Sequence, residues 1–227
     1  VKPVCLITGA GGRLGSALCA ALANEFEVIA VYRSRLPEVN SQLQQNLGPA
    51  PHDPVYCVQA DLSEPADIRR VVEVAAARSG RVDVIVNAAA DIRFHGNLRE
   101  IWGKERLEEK QLLLNAVSPF WLVSAVHQLL WKDDADGNHR FNRNVVNISS
   151  VSGLYVGKPQ GQGFYAASKA SLNILSMHLA SELAPYSVRV NTLCPGRFVS
   201  AEETALVVRE VQRMISGSMT GMVTAAP

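Results

Sequence analysis

Tyr165 and Lys169 stand four residues apart, a spacing that puts both side chains on one face of a helix. A phenol with its ordinary pKa near ~10 is a poor proton carrier at neutral pH. A neighbouring ammonium favours the phenolate and lowers that value. A drop of ~3 units requires about 4 kcal/mol of differential stabilisation, within reach of Lys169 aided by a second positive charge in the site. Ser150 follows the apolar run Asn144-Val145-Val146-Asn147-Ile148. A serine there, at the carboxyl end of a buried strand, lies where α/β folds hold ligands, and it can hydrogen-bond a substrate oxygen. Asn115 is a polar residue just after Leu112-Leu113-Leu114. A buried amide must be satisfied, either by a water that joins Lys169 to solvent or by the core itself.

A second cluster sits at the start of the chain. The run Thr8-Gly9-Ala10-Gly11-Gly12-Arg13-Leu14-Gly15 follows an apolar strand and opens a helix. Backbone can approach a pyrophosphate at such a helix N-terminus, so the pattern predicts a dinucleotide site. Cofactor choice is decided after the second apolar run, where an NAD site usually carries an acid for the ribose 2′-OH. This chain has Tyr32-Arg33-Ser34-Arg35 instead. Arg33 and Ser34, with Arg13 from the glycine-rich turn, suit a 2′-phosphate and predict NADP(H). Asp61-Leu62 falls after the third strand, at the adenine edge. Asp61 can equally cap a helix beginning near Ser63.

The elements that must position these residues alternate along the chain. Apolar runs at 4–7, 28–32, 55–58, 82–86, 144–148 and 188–193 read as strands buried on both faces of a parallel sheet. Helical spacing lies between them, with Leu14, Ala17, Leu18, Ala21 and Leu22 on one face and Ile68, Val71, Val72 and Ala75 on another. Residues 201–215 supply a further helix, with Leu206, Val207, Glu210 and Met214 on a face or its flank, and 218–223 a last strand with its approach. This order predicts one α/β domain over 1–227, a doubly wound, mostly parallel sheet of seven strands flanked by helices. Residues 37–54, with Leu43 and Leu47 as possible anchors, and the polar stretch 132–144 read as surface loops.

Composition narrows the function classes. With 22 Lys+Arg against 21 Asp+Glu, the net charge of +1 argues against a nucleic-acid partner. No apolar run approaches the ~20 residues of a membrane helix, so no membrane partner is expected. Val1-Lys2-Pro3 leads straight into a strand and predicts no signal peptide. Cys5, Cys19, Cys57 and Cys194 form no metal or disulfide pattern and read as free thiols of a reducing, cytoplasmic setting.

Taken together the motifs resemble the short-chain dehydrogenase/reductase family. The matching segments are TGAGGRLG at 8–15, DL at 61–62, NAAA at 87–90, Asn115, NISS at 147–150, YAASK at 165–169 and VRVNTLCPG at 188–196, continuing to Phe198–Ser200. They keep the family's order over roughly residues 4–200. The resemblance implies Tyr165 as acid–base, Lys169 as the residue orienting the nicotinamide ribose and lowering the tyrosine pKa, Ser150 positioning the substrate oxygen, and Asn115 supporting a proton relay. It implies Gly9, Leu14 and Gly15 at the phosphate turn, Asn87, Ala88 and Ala89 on the adenosine side, and Pro195, Gly196, Phe198 and Ser200 around the nicotinamide. It also implies a homo-oligomer, dimer or tetramer.

Three features depart from the family pattern. Arg13 replaces the middle glycine of the turn, a variant similar to the pteridine reductases, as is Tyr32-Arg33-Ser34. Ser150 is retained where those enzymes often carry Asp. Ala88 replaces a commoner asparagine. The tail leaves little room for a substrate lid, so a short lid or a missing segment is expected near 198–203. The function expected is NADPH-dependent reduction of a small carbonyl or pterin-like C=N substrate, with Tyr165 as general acid. Phe94, His95 and Trp102 are candidates for the substrate pocket. The rivals are a non-catalytic NADP-binding regulator and an NAD-dependent alcohol dehydrogenase working oxidatively.

Overall fold

The apolar runs pair as a seven-stranded sheet in a computed structural model that describes residues 2–38, 55–93, 96, 100, 102, 107–157 and 161–226. The strands are β1 (Val4–Thr8), β2 (Glu27–Tyr32), β3 (Val55–Gln59), β4 (Val84–Asn87), β5 (Asn144–Ile148), β6 (Arg189–Pro195) and β7 (Val223–Ala226). Their order is β3-β2-β1-β4-β5-β6-β7 and every pairing is parallel. Chain direction along the sheet reverses between β1 and β4, which makes the crevice beyond their carboxyl ends the place for a ligand.

Helices cover both faces. Helix α1 (Arg13–Leu22) and α7 (Ala201–Ser216) pack on one side, burying Leu14, Leu18, Val207 and Val211 against Ile7 and Val146. On the other side lie α2 (Pro65–Ser79) and a composite helix, with Ile68, Val71, Val72 and Ala75 packed beside Leu122 and Val126. The composite helix joins α3 (Leu107–Leu112), a π-turn (Leu113–Val117), α4 (Ser118–Val126) and a second π-turn (His127–Trp131). Helix α6 (Gly163–Leu183) completes that layer.

Several expectations need correction. The polar stretch 132–144 is not only loop, for it contains α5 (Ala135–Arg140), whose N-cap Asp134 accepts from the Gly137 N–H. Polarity there serves a buried network. Asn138 donates to the Trp131 and Tyr186 carbonyls at 2.8 and 2.9 Å and accepts from Arg143 at 2.6 Å. Arg143 also pairs with buried Asp83 at 3.3 Å. The last strand begins only at Val223, because Asn191 ties up its approach through the Met219 carbonyl and the Met222 N–H. On α7 the buried face runs through Thr204, Val207, Val208, Val211, Met214 and Ile215, leaving Leu206 exposed. Leu43 and Leu47 lie outside the described residues.

One helix, Glu108–Trp131, is long and apolar enough to cross a membrane by length and composition, with a mean hydropathy of 1.3 over its best window. Its apolar residues are interrupted in sequence, so no single run revealed it. Several of its polar side chains bond inside the fold. Ser118 donates to Leu113, the Trp131 indole donates to Val82 at 2.7 Å, and Asn115 donates to Ser168 at 3.0 Å. Those bonds are what a core helix makes.

Candidate active site

The glycine-rich turn is shaped first by contacts within the protein. Thr8, the last residue of β1, accepts the Ala88 and Ala89 N–H groups on its hydroxyl at 3.1 Å each. That pulls the segment after β4 onto Gly9, which takes φ +69° and lies so close that a Cβ would stand 2.7 Å from Ala89 Cα. Only glycine meets both demands. Gly12 enters α1 in extended conformation with no side-chain cap, leaving the first-turn N–H groups for an anion.

A cleft of about 450 Å³ opens at this point. Gly9, Tyr32, Arg33, Ser34, Asp61, Leu62, Ala88 and Ala89 all line it, so eight of the expected residues converge. Gly11, Gly12, Arg35 and Ala90, from the same sequence motifs, line it too, as do Ala60 and Leu114, which were not singled out from sequence. Arg13 is exposed at the start of α1 and is not part of this lining; Leu14 and Gly15 are buried within the helix. Asn87 turns away, donating to Asn147 Oδ1 at 2.8 Å inside the sheet. Asp61 forms a turn of its own, accepting from the Ser63 N–H at 3.0 Å, whereas α2 starts two residues later with Pro65. It therefore shapes the entry to α2 without serving as its N-cap.

The second cluster lies beyond β5. Ser150 follows that strand, and its hydroxyl accepts from the Ser152 N–H at 3.1 Å. Tyr165 and Lys169 both stand on α6, as their spacing requires. The Ser150 side chain is near enough to Tyr165 to favour its phenolate. Burial raises the Tyr165 pKa above its usual range, and the Ser150 contact only partly offsets this. Lys169 is not a contributor to that balance, contrary to expectation. Its Nζ is 6.0 Å from the tyrosine ring centre and donates to the Ile148 carbonyl at 2.9 Å. Burial lowers the lysine's own pKa from 10.5 to about 8, while Cys194 acts weakly the other way.

Asn115 sits in the first π-turn, a distortion that recurs at functional sites. Its Oδ1 accepts from the Asp91 N–H at 2.7 Å, and its Nδ2 donates to the Asp91 carbonyl at 2.9 Å and to Ser168. Gln111, one turn earlier and unnoticed in the sequence, donates to the Asp91 and Arg93 carbonyls at 3.1 and 2.8 Å. The pair of amides clamps the segment that continues from the cleft wall at 88–90 and ties it to α6.

Past β6, Pro195 is buried and Gly196 half-buried, while Phe198 packs on the core beside α7. Ser200 was expected beside the nicotinamide. Its hydroxyl caps α7, accepting from the Glu203 N–H at 3.1 Å in a reciprocal capping box. Residues 196–200 lead directly from β6 into α7 with no further element between them. Phe94 and His95 lie outside the described residues, and Trp102 is 90% exposed.

The family profile described as short chain dehydrogenase matches residues 3–213. A 3-oxoacyl-(acyl-carrier-protein) reductase of Thermotoga maritima is 32% identical over 194 residues, 85% of this chain and 73% of the relative. The acetoacetyl-CoA reductase of an Acinetobacter species is 30% identical over 222 residues, 94% of this chain and 83% of the relative. Among solved structures, a 3-ketoacyl-(acyl-carrier-protein) reductase from Brucella melitensis, complexed with NADH, superposes with a TM-score of 0.82 at 22% identity, covering 98% of this chain and 96% of that one.

Proposed function

The chain belongs to the short-chain dehydrogenase family, a family of oxidoreductases, and from that premise we propose that it is an NADPH-dependent reductase of a small carbonyl compound. The observation that carries the reading is the meeting of Ser150, just after β5, with Tyr165 and buried Lys169, which stand one helical turn apart on α6. A dinucleotide fits the residues present. Gly11 and Gly12 leave the cleft wall bare beside an uncapped helix N-terminus, and Arg33 and Ser34 close its far end. When bound, the nicotinamide supplies the hydride.

The chain's own residues then handle the proton and the charge. Tyr165 carries its proton at neutral pH and can donate it to the substrate oxygen as hydride arrives, taking it back in the reverse direction. Ser150 and Tyr165 present two hydroxyls to one substrate oxygen and stabilise the negative charge growing on it. Lys169, Pro195 and Gly196 hold the nicotinamide half; Phe198 and Ser200 fix the backbone that follows. Gly9, Leu14, Gly15, Asn87, Ala88 and Ala89 shape the phosphate and adenosine half. Asn115 keeps that half in register with α6 through Asp91 and Ser168.

Preference for NADP(H) rests on Arg33 and Ser34 at the end of β2 without an acid there, with exposed Arg13 at the start of α1. The keto group of a 3-oxoacyl or similar thioester is the first substrate class to test, in line with the relatives. Arg13 and Tyr32-Arg33-Ser34, similar to the pteridine reductases, favour a pterin-like C=N substrate as the second. A dimer or tetramer is part of the reading, supported by exposed Trp121, Leu129, Ile174 and Met177 on the composite helix and α6. Light scattering that finds a monomer refutes that part. Four free cysteines support a cytoplasmic setting.

The test is NADPH oxidation with a panel of keto esters, 3-oxoacyl thioesters and pterins, using the native protein and Tyr165→Phe. Turnover that falls about 10²–10⁴-fold in the variant, with dinucleotide affinity retained, is expected of a lost general acid. Equal turnover in both removes Tyr165 from the reaction. Tight NADPH binding without turnover of any panel member favours a regulator.

A further inference from the structure

A second cavity, of about 200 Å³, lies at the amino ends of β1, β4 and β5, the opposite end of the strands from the cleft. The two share no lining residue. Helices α1 and α7 both end here, with their last residues, Leu22 and Ser216, in the wall. Phe26, Val84, Phe141 and Ile215 add apolar surface. The polar groups of the wall are unevenly matched. Asn144 lines the cavity and is 1% exposed. Its Nδ2 donates to the Asn142 carbonyl at 2.7 Å and the Ile215 carbonyl at 3.4 Å. Those bonds fix the amide, for a flip would set Oδ1 against two carbonyl oxygens. As it stands, Oδ1 is buried and has no hydrogen-bond partner among the described residues. Asn142 is saturated, donating to the Ile215 and Gly217 carbonyls at 3.3 and 3.2 Å and accepting from Arg189 at 2.7 Å. Ser216 donates its hydroxyl to the Gln212 carbonyl at 3.1 Å. Exposed Glu25 also lines the cavity, and its carboxylate has no ion pair or hydrogen bond among the described residues. Half-buried Gln212 adds an amide of either character. The donors of both asparagines and the serine are thus committed to backbone carbonyls, and a buried amide oxygen and a carboxylate are left over.

We propose that this cavity is a binding site for a small organic ammonium ion with an apolar body. An ammonium N–H donates to Asn144 Oδ1, and Glu25 supplies the counter-charge. The apolar body packs on Phe26, Phe141 and Ile215. An unpaired buried acceptor raises the energy of the empty protein, and a donor on the ligand removes that penalty. The carboxyl ends of α1 and α7 favour positive charge at the same place. The protein's own cations nearby are engaged elsewhere. Arg189 grips the Met214 and Ile215 carbonyls at 3.2 and 2.9 Å. Arg81, over the Phe141 ring at 3.7 Å, pairs with Asp83 at 2.7 Å, and Lys2 donates to the Ala23 carbonyl at 3.1 Å. The cavity has less than half the volume of the cleft, which suits a small molecule and not a dinucleotide. The site stands whether or not the cleft holds NADP(H).

Three probes with the same body and different head groups test the site: 2-phenylethylamine, 2-phenylethanol and phenylacetate. Each is titrated into the isotope-labelled full chain by NMR, following the Asn144 side-chain amide and the Phe141 and Ser216 N–H signals. Gly9, at the far end of the strands, is the control. The amine should move the first three signals with a dissociation constant of about 1 mM or below and leave Gly9 unmoved. It should bind about fivefold or more tightly than the alcohol, and the carboxylate should not bind. Glu25→Gln should bring amine and alcohol to within about twofold of each other. Ser216→Trp, which sets an indole in the cavity wall, should abolish binding of both. Thermal unfolding checks that the variants fold; should Ser216→Trp not fold, Glu25→Gln and the Asn144 signal decide. An Asn144 signal that no probe moves overturns the proposal, for the cavity then holds water alone. An alcohol or carboxylate that binds as tightly as the amine overturns it too, as does full discrimination retained in Glu25→Gln.

Discussion

Replacing Lys169 by methionine should change the pH dependence of stability by an amount that the burial of its ammonium fixes. The side chain is 2% exposed, and its pKa falls from 10.5 to about 8 on folding. Between those values the unfolded chain holds a proton that the folded chain has released, so native stability rises with pH across the window. Burying the lysine costs the fold about 3 kcal/mol at pH 7, about 2 kcal/mol at pH 9 and under about 1 kcal/mol at pH 10. Methionine fills similar space and carries no such cost. It also leaves the Ile148 carbonyl, now bonded to Nζ at 2.9 Å, without a donor, a loss of about 1–3 kcal/mol that does not vary with pH. The two effects nearly offset at pH 7, but only the first titrates. Urea unfolding at pH 7, 8, 9 and 10 should therefore show the stability difference, variant minus native, falling by about 2–3 kcal/mol over that range, from near zero to negative. A difference that stays flat would refute the argument, because it would mean that Lys169 holds its proton in the fold as easily as in water.

Two other substitutions separate stability from the site. Asp83→Ala strips Arg81 and Arg143 of their buried carboxylate and the Val4 N–H of its acceptor. It should cost about 3–5 kcal/mol in urea unfolding while leaving NADPH affinity of the folded protein within about twofold, since this network lies at the opposite end of the strands. Ser200→Ala removes the capping hydroxyl of α7 and should cost about 1 kcal/mol, with an equally small change in NADPH affinity. A tenfold rise in its dissociation constant would return Ser200 to the nicotinamide site.

Most of the sheet was legible because its strands are continuous β-branched runs, a pattern little else produces. The residues 144–148 gave β5 to the residue, and Ile68, Val71, Val72 and Ala75 are the buried stripe of α2. The cleft was legible where residue type is dictated by chemistry, as at Gly9, Arg33 and Ser34. What stayed hidden depends on partners far away in sequence. Arg143 and Asn138 look like surface polar residues until Asp83 is brought to them. Gln111 gains meaning only when Asp91 folds over the composite helix. Arg35 looks like a solvated cation until the turn it grips stands beside it. The direction of the Tyr165 shift was hidden for the same reason. Spacing put an ammonium on its helix face, whereas the depth of burial, which dominates, is a property of the whole fold.

The amide row in the middle of the sheet bears on how the chain finds this arrangement. Thr8, Asn87 and Asn147 are register partners on β1, β4 and β5, and Asn147 passes the connection on to Ser176 at 2.8 Å. The strands around them are apolar on both faces, so hydrophobic contact alone would accept a sliding of one strand past the next. A shift of one residue would set each amide against aliphatic side chains with nothing to bond, at a cost of about 1–3 kcal/mol for each unpaired group. A few buried polar atoms thus act as alignment pegs during folding, and they discriminate against misregistered sheets that would be nearly as well packed but would have no cleft.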